Sequence, residues 1–173
     1  SFTLASQHLR QNDVWRTHST IYAESFAGTT VGSDFRRLKD QRRNLTYIKF
    51  NGKDFDSFID RAALTLSMQN WNEEGDRIKG NGKRLRDGFD SRMFGLDLKL
   101  ESDSSLGRFT YGFDIYHDSV DSHRTDYKND GTVDKVHIQG PVGDDSTFLL
   151  MGLYAQGEFG LTDRLSLNSG LRY

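Results

Sequence analysis

Residues 148–173 read FLLMGLYAQGEFGLTDRLSLNSGLRY, two alternating segments joined by a very short turn. In the first, Leu149, Met151, Leu153, Ala155, Gly157 and Phe159 fall on one face, opposite Gly152, Tyr154, Gln156 and Glu158. In the second, Leu165, Leu167, Ser169, Leu171 and Tyr173 oppose Ser166, Asn168, Gly170 and Arg172. Successive side chains of a strand point to opposite sides, so each segment has one apolar and one polar face. Each run lasts about nine to twelve residues, the length a tilted strand needs to cross a bilayer.

The same period recurs along the chain. Ser1 to Gln11 alternates weakly, with Phe2, Leu4, Ser6 and His8 against Thr3, Ala5, Gln7 and Leu9. Asn12 to Asp40 is polar, with a GTTVGSD core, and is expected to be a long loop. Arg42 to Asn51 is β-rich and ends in the turn signal Asn51-Gly52, but its faces are ambiguous, since Leu45 and Tyr47 oppose Ile48 and Phe50. Phe58 to Trp71 sets Ala62, Leu64, Leu66 and Met68 against Arg61, Thr65, Ser67 and Gln69. Asn72 to Asp87 reads as a charged, Gly-bearing loop. Phe89 to Glu101 places Phe94, Leu96, Leu98 and Leu100 opposite Gly95, Asp97, Lys99 and Glu101. After a tight turn at 102–107, Arg108 to Ser119 places Phe109, Tyr111, Phe113 and Ile115 opposite Thr110, Gly112, Asp114, Tyr116 and Asp118. A polar segment from Val120 to Ser146 leads into the last hairpin.

About seven strands follow from this period-two pattern. The expected connections alternate: long at 12–40, short at 52–57, long at 72–87, short at 102–107, long at 120–146 and short at 160–163. Strict alternation puts every long loop at one end of the sheet, an asymmetry of outer-membrane barrels. Phe2, Phe50, Phe55, Phe109, Tyr111 and Phe159 gather beside the short turns, as an interfacial girdle would. The fold expected is all-β, an antiparallel up-and-down transmembrane barrel or part of one, with a soluble all-β binding module as the alternative.

Composition fits that expectation. Of 173 residues, 35% are hydrophobic, 12% aromatic, 17 are Gly and one is Pro. No apolar run is long enough for a helical span. A barrel of strands tolerates such polarity, because half of each strand faces a polar lumen. A net charge of -2 leaves no basic patch for nucleic acid, and zero Cys excludes a disulfide scaffold or a cysteine-zinc site. SFTLASQHLRQ has no basic and apolar leader pattern, so the chain is expected to be mature or cut from something longer.

The stretch DDSTFLLMGLYAQGEFGLTDRLSLNSGLRY resembles the barrel of TonB-dependent outer-membrane receptors. The matching residues are Gly152–Glu158, Leu161–Leu165 and Gly170–Tyr173, against a GLYAQxE-like strand, an LTDRL-like turn and a GLRY-like strand. YGFDIYHDSVDS (111–122) looks like the strand before them. QHLRQNDVWRTHST (7–20) and DQRRNLTYIKF (40–50) resemble segments of the branch with haem and haemoglobin receptors. The family's TonB box, plug domain and aromatic-ended C-terminal strand have no counterpart here, and its barrels have about 22 strands. The resemblance thus implies that residues 1–173 are an internal part of such a barrel. It implies a Gram-negative outer-membrane receptor that imports haem or a siderophore. Its partners would be the TonB complex, reached through the missing N-terminal region, the extracellular iron ligand and outer-membrane lipid.

Three histidines are candidate ligand residues, because imidazole is a common iron ligand. They are His18 in the first long loop and His123 and His137 in the third. His117 shares a face with Ile115. Asp126, Asp130, Gly131 and Asp134 are spaced like part of a calcium loop, but Lys128 and His137 occupy two positions that need oxygen ligands. A turn at Asn129-Asp130-Gly131 is the reading adopted, and no metal or cofactor is expected. Arg61, Asp97, Lys99, Glu101, Asp114, Glu158 and Arg172 are expected to line a lumen and to face a plug. Asp114 and Glu158 suggest a carboxylate pair for hydrolysis, but they sit on strands separated by a long loop, and no nucleophile, Gly-rich phosphate cradle or Ser/His/Asp constellation accompanies them, so no enzyme is expected. An outer-membrane barrel enzyme would need a Ser/His or Asp/His set on adjacent strands within hydrogen-bond reach.

Overall fold

A computed structural model describes residues 1–16, 34–55 and 57–173. These form strands β1 (Phe2–Trp15), β2 (Asp34–Lys53), β3 (Arg61–Lys79), β4 (Arg84–Ser104), β5 (Gly107–Tyr127), β6 (Val133–His137), β7 (Ser146–Thr162) and β8 (Leu165–Arg172). All belong to one antiparallel sheet in the order β1-β2-β3-β4-β5-β7-β8, with β6 pairing β5. The seven expected strands are the seven of this path, and the fold is an all-β meander. Within the described residues the sheet is open, and β1 and β8 are its edges.

The strands overrun the expected limits. β2 to β5 hold 19 to 21 residues each. Residues 72–87 are not a loop: β3 and β4 continue through them to a turn at 80–83. There Lys79 N donates to Lys83 O and Gly82 N to Lys79 O, both at 2.9 Å. At the ends of the long loop expected at 12–40, β1 runs on to Trp15 and β2 starts at Asp34, while residues 17–33 lie outside the described residues. A bulge between Gln11 and Val14 is tied down by Asp13 N donating to Asp40 Oδ1 at 2.6 Å. Asp13 there has φ 52, a conformation that Asp tolerates better than most residues. Within 120–146, β5 continues to Tyr127 and β6 folds back on it. Asn51-Gly52 is not the turn either. Both residues stay in β2, and Gly52 makes room for the Phe55 ring.

Register assembles the faces. Pairing carries one unbroken row across the sheet, Phe2–Phe50–Leu64–Leu98–Phe113–Leu153, and beside it Leu4–Ile48–Leu66–Leu96–Ile115–Met151. The ambiguous β2 is thereby resolved, with Ile48 and Phe50 on the apolar face and Leu45 and Tyr47 on the polar one. Along β7 this face runs from Leu149 to Phe159, about 34 Å of strand. A tilt of about 45° makes that about 25 Å of height, the height of an outer-membrane barrel's apolar band. Phe2 and Phe50 meet as tilted rings with centres 5.3 Å apart, and Phe109 and Phe159 meet edge-on at 5.6 Å, both pairs near the short-turn end.

Burial is inverted relative to a water-soluble domain. Leu85 is the one buried hydrophobic among the described residues, and the buried polar residues are Asp34, Asp114 and Ser122. By register all four stand on the polar face or its continuation. On the other face Leu4 is 62% exposed, Met151 63% and Leu153 62%. No described residue packs a second layer over it; each strand contacts only its sheet neighbours. A contiguous apolar surface of this extent marks an interaction face.

Candidate functional site

The polar face carries fixed charges where the alternation placed them. Arg61, Asp97, Lys99, Glu101, Asp114, Glu158 and Arg172 share it by register. Across β3, β4 and β5 five side chains form a chain of alternating sign. Lys99 Nζ lies 2.6 Å from Glu101 Oε1, and Arg61 Nε donates to Glu101 Oε2 at 2.6 Å. Arg61 Nη2 then reaches Asp103 Oδ2 and Arg108 Nε reaches Asp103 Oδ1, both at 2.8 Å. A depression of about 410 Å³ opens beside this chain, lined by Lys49, Lys53, Arg61, Lys99 and Glu101.

Asp114 lies at the centre of the same face. Its side chain is 6% exposed, and Arg172 Nη2 donates to its Oδ1 at 2.6 Å. Gly152 between them supplies the clearance, since a Cβ there would stand 2.7 Å from Arg172 Nη2. The Arg172 guanidinium also lies 5.9 Å from the centre of the Tyr154 ring. Asp114 Oδ2 is buried without a partner, and Asp97 is its cross-strand neighbour. Asp97 and Glu158 make no ion pair among the described residues.

Toward the long-connection end lies a network that the sequence pattern missed. Arg77 grips Asp34 with two bonds of 2.6 and 2.9 Å, while Lys39 and Gln41 both bond Glu73. On the opposite face Asp76 takes Arg84 at 2.9 Å on both oxygens and also Arg36. Burial pushes the Asp76 carboxyl up, but Arg84, Arg36 and Arg86 outweigh it and hold it below the usual carboxylate range. A legible signal existed: NEEGD before the turn and RLR after it are complementary in charge when paired antiparallel.

The histidines do not converge. His18 lies outside the described residues. His123 pairs with Gly88 and contacts Glu74 at 3.0 Å, on the face that carries the apolar belt farther down. His137 in β6 contacts Asp126 at 3.2 Å on the other face. Asp126 is also bonded by Arg124 at 2.8 Å; that bond and the one from His137 hold its carboxyl low against burial. His117 sits between Phe94 and Leu149 at the belt's edge. Residues 128–132 form a turn in which Lys128 N donates to Thr132 O at 2.9 Å, and Gly131 has φ 86. Among the described residues no three His, Asp or Glu side chains could hold a metal ion.

One hydrogen-bonded Ser/His set does occur. Ser6 Oγ lies 3.1 Å from His8 Nε2, and His8 Nδ1 lies 2.8 Å from Asn44 Oδ1. Ser6 and His8 are two residues apart on β1, and Asn44 is the register partner of His8. Period two places Ser6 and His8 on one face from sequence alone; the pairing that supplies Asn44 does not follow from it. Comparison of the sequence with protein-family models and with curated proteins returns no match.

Proposed function

We propose that this chain is part of a transmembrane β-barrel of the TonB-dependent receptor kind, importing an iron chelate, haem or siderophore, across an outer membrane. The observation that carries the reading is the continuous apolar face of seven strands with no layer over it among the described residues, backed by a face of ordered charges. Lipid is the covering that asks nothing further of the chain, because every backbone group inside the sheet is already paired. The band has the height of an outer-membrane barrel's apolar band, and strand segments beyond it carry charged and polar residues on both faces. They project past the membrane at the end that carries the turn at 80–83 and residues 128–145.

In this account the resemblance over 111–122 and 144–173 supplies the class, and the polar face supplies the wall of the conduit. Neighbouring strands of a barrel with about 22 strands would cover the edges β1 and β8. The Lys99–Arg108 charge chain and the Asp114–Arg172 pair would be hydrated or would meet a plug. The His123 and His137 regions, at the far end, would stand where an external ligand arrives.

The test is growth. The intact gene product, placed in outer membranes of a strain without its own haem uptake, is expected to support growth on haem or on a ferric siderophore as sole iron source, and only with functional TonB. Growth independent of TonB would indicate a passive pore and end the energised reading.

A further inference from the structure

We propose that Ser6, His8 and Asn44 form a second, hydrolytic site on the apolar face, directed at the acyl esters of phosphate-bearing membrane lipids. The connectivity is that of a nucleophile, a base and an orienting group. Asn44 Oδ1 can only accept, so the His8 Nδ1 beside it at 2.8 Å carries the proton. His8 Nε2 is then left with its lone pair toward Ser6 Oγ at 3.1 Å and accepts the hydroxyl proton. All three side chains are accessible, and Thr46 Oγ1 lies 3.2 Å from Ser6 Oγ, where it can donate to an oxyanion.

The rows on either side of the site name the substrate class. On β1 and β2 the register steps from Phe2–Phe50 and Leu4–Ile48 to Ser6–Thr46 and His8–Asn44, and then to Arg10–Arg42. Apolar rows thus lie on one side of the nucleophile and two arginines on the other. A membrane lipid has the same order of groups: acyl chain, ester, phosphate. Arg10 and Arg42 are like charges in direct register, an arrangement that is destabilising unless an anion lies between them. Among the described residues Arg10 Nε bonds the neutral Asn12, at 3.1 Å, and neither Arg10 nor Arg42 makes an ion pair. The lipid assignment rests on the membrane reading proposed above, whereas the ester chemistry rests on the side-chain geometry alone.

In the reaction Ser6 Oγ attacks the ester carbonyl while His8 Nε2 takes its proton. The tetrahedral adduct collapses, its C–O bond breaks, and the leaving alcohol, a lysolipid, receives the proton from His8. Water, deprotonated by His8, then attacks the acyl-serine, releasing a fatty acid and restoring Ser6. Ester and water give acid and alcohol, and no other reactant is needed.

The test uses the intact gene product in detergent with three probes: a fluorophosphonate label, soluble p-nitrophenyl butyrate, and dioleoylphosphatidylglycerol in mixed micelles. The label is expected on the Ser6 peptide. Ser6→Ala and His8→Gln should lose about 1000-fold or more in turnover of both esters. Asn44→Ala should lower kcat at unchanged KM, with activity returning in Asn44→Asp. The double variant Arg10→Gln/Arg42→Gln should raise KM about tenfold or more for the phospholipid and leave the butyrate ester unaffected; Arg43→Gln, on the opposite face, should change neither. Absence of label on Ser6, or turnover equal to that of Ser6→Ala, overturns the site. Hydrolysis of butyrate but not of phospholipid overturns the lipid assignment. Fractionation with outer membranes and heat-modifiable gel mobility are scored separately, so failure of the membrane reading is recognised independently of the hydrolysis.

Discussion

Leu153→Arg separates a lipid-facing strand from a water-facing one. Leu153 lies in the middle of the apolar band, next to Phe113, and is 62% exposed in the sheet. If that face met water, the change would be a surface substitution worth about 0.5 kcal/mol or less. At the bilayer midplane an arginine on the lipid face costs about 2–4 kcal/mol. That is roughly a 30- to 700-fold shift in the folding equilibrium at about 1.4 kcal/mol per decade. The cost also depends on depth. Ser102→Arg, on the same face beside the β4–β5 turn, should cost only about 0–1 kcal/mol. Gln156→Arg, on the polar face of the strand that carries Leu153, should be near neutral. The assay is urea titration of the intact gene product refolded into phosphatidylcholine vesicles, followed by heat-modifiable mobility. A Leu153→Arg cost no larger than that of Gln156→Arg would refute the assignment of this face to lipid.

Three further outcomes follow from the polar face and its far end. Arg172→Met leaves the nearly buried Asp114 carboxylate unpaired and should destabilise by about 1–3 kcal/mol in the same titration, with much of the loss restored by adding Asp114→Asn. Gly112→Ala would drive a methyl into Leu98 O and to within 2.8 Å of Tyr154 Oη, and should cost about 1–3 kcal/mol; Gly160→Ala, with open space around it, should cost almost nothing. Asp126, held low by Arg124 and then His137, contributes stability that is complete above its unfolded pKa of about 3.9 and is lost as pH falls through the lower folded value. The difference in urea midpoint between the protein and Asp126→Asn should therefore be present at pH 6 and shrink on acidification below about pH 4.

The belt was legible because its strands contrast apolar with polar at every second residue. Leu96, Leu98 and Leu100 against Asp97, Lys99 and Glu101 fix the period and the face together, and the structure puts all seven expected polar-face charges on one side. Beyond the belt the contrast disappears. Asn72, Glu73, Glu74 and Asp76 are polar on both faces, so a strand there looks like a loop in sequence. Its partners are what make it a strand, Lys39 for Glu73 and Arg36 and Arg84 for Asp76, and those lie across the register. Asn51-Gly52 misled for a different reason. Its glycine serves the close approach of Phe55 instead of a turn. The Ser6–His8–Asn44 set stayed invisible because its third member comes from β2, and only the pairing of His8 with Asn44 joins it to the other two.

Spin labels placed singly from position 149 to 158 of β7, in the intact gene product within membranes, test the central claim most directly. Relaxation by oxygen, which concentrates in lipid, and by a water-soluble nickel chelate should alternate with period two. Positions 149, 151, 153 and 155 should favour oxygen, and 152, 154, 156 and 158 the chelate. Chelate access on both faces, or exclusion of both reagents from the 149–155 face, would show that something other than lipid covers it and contradict the account.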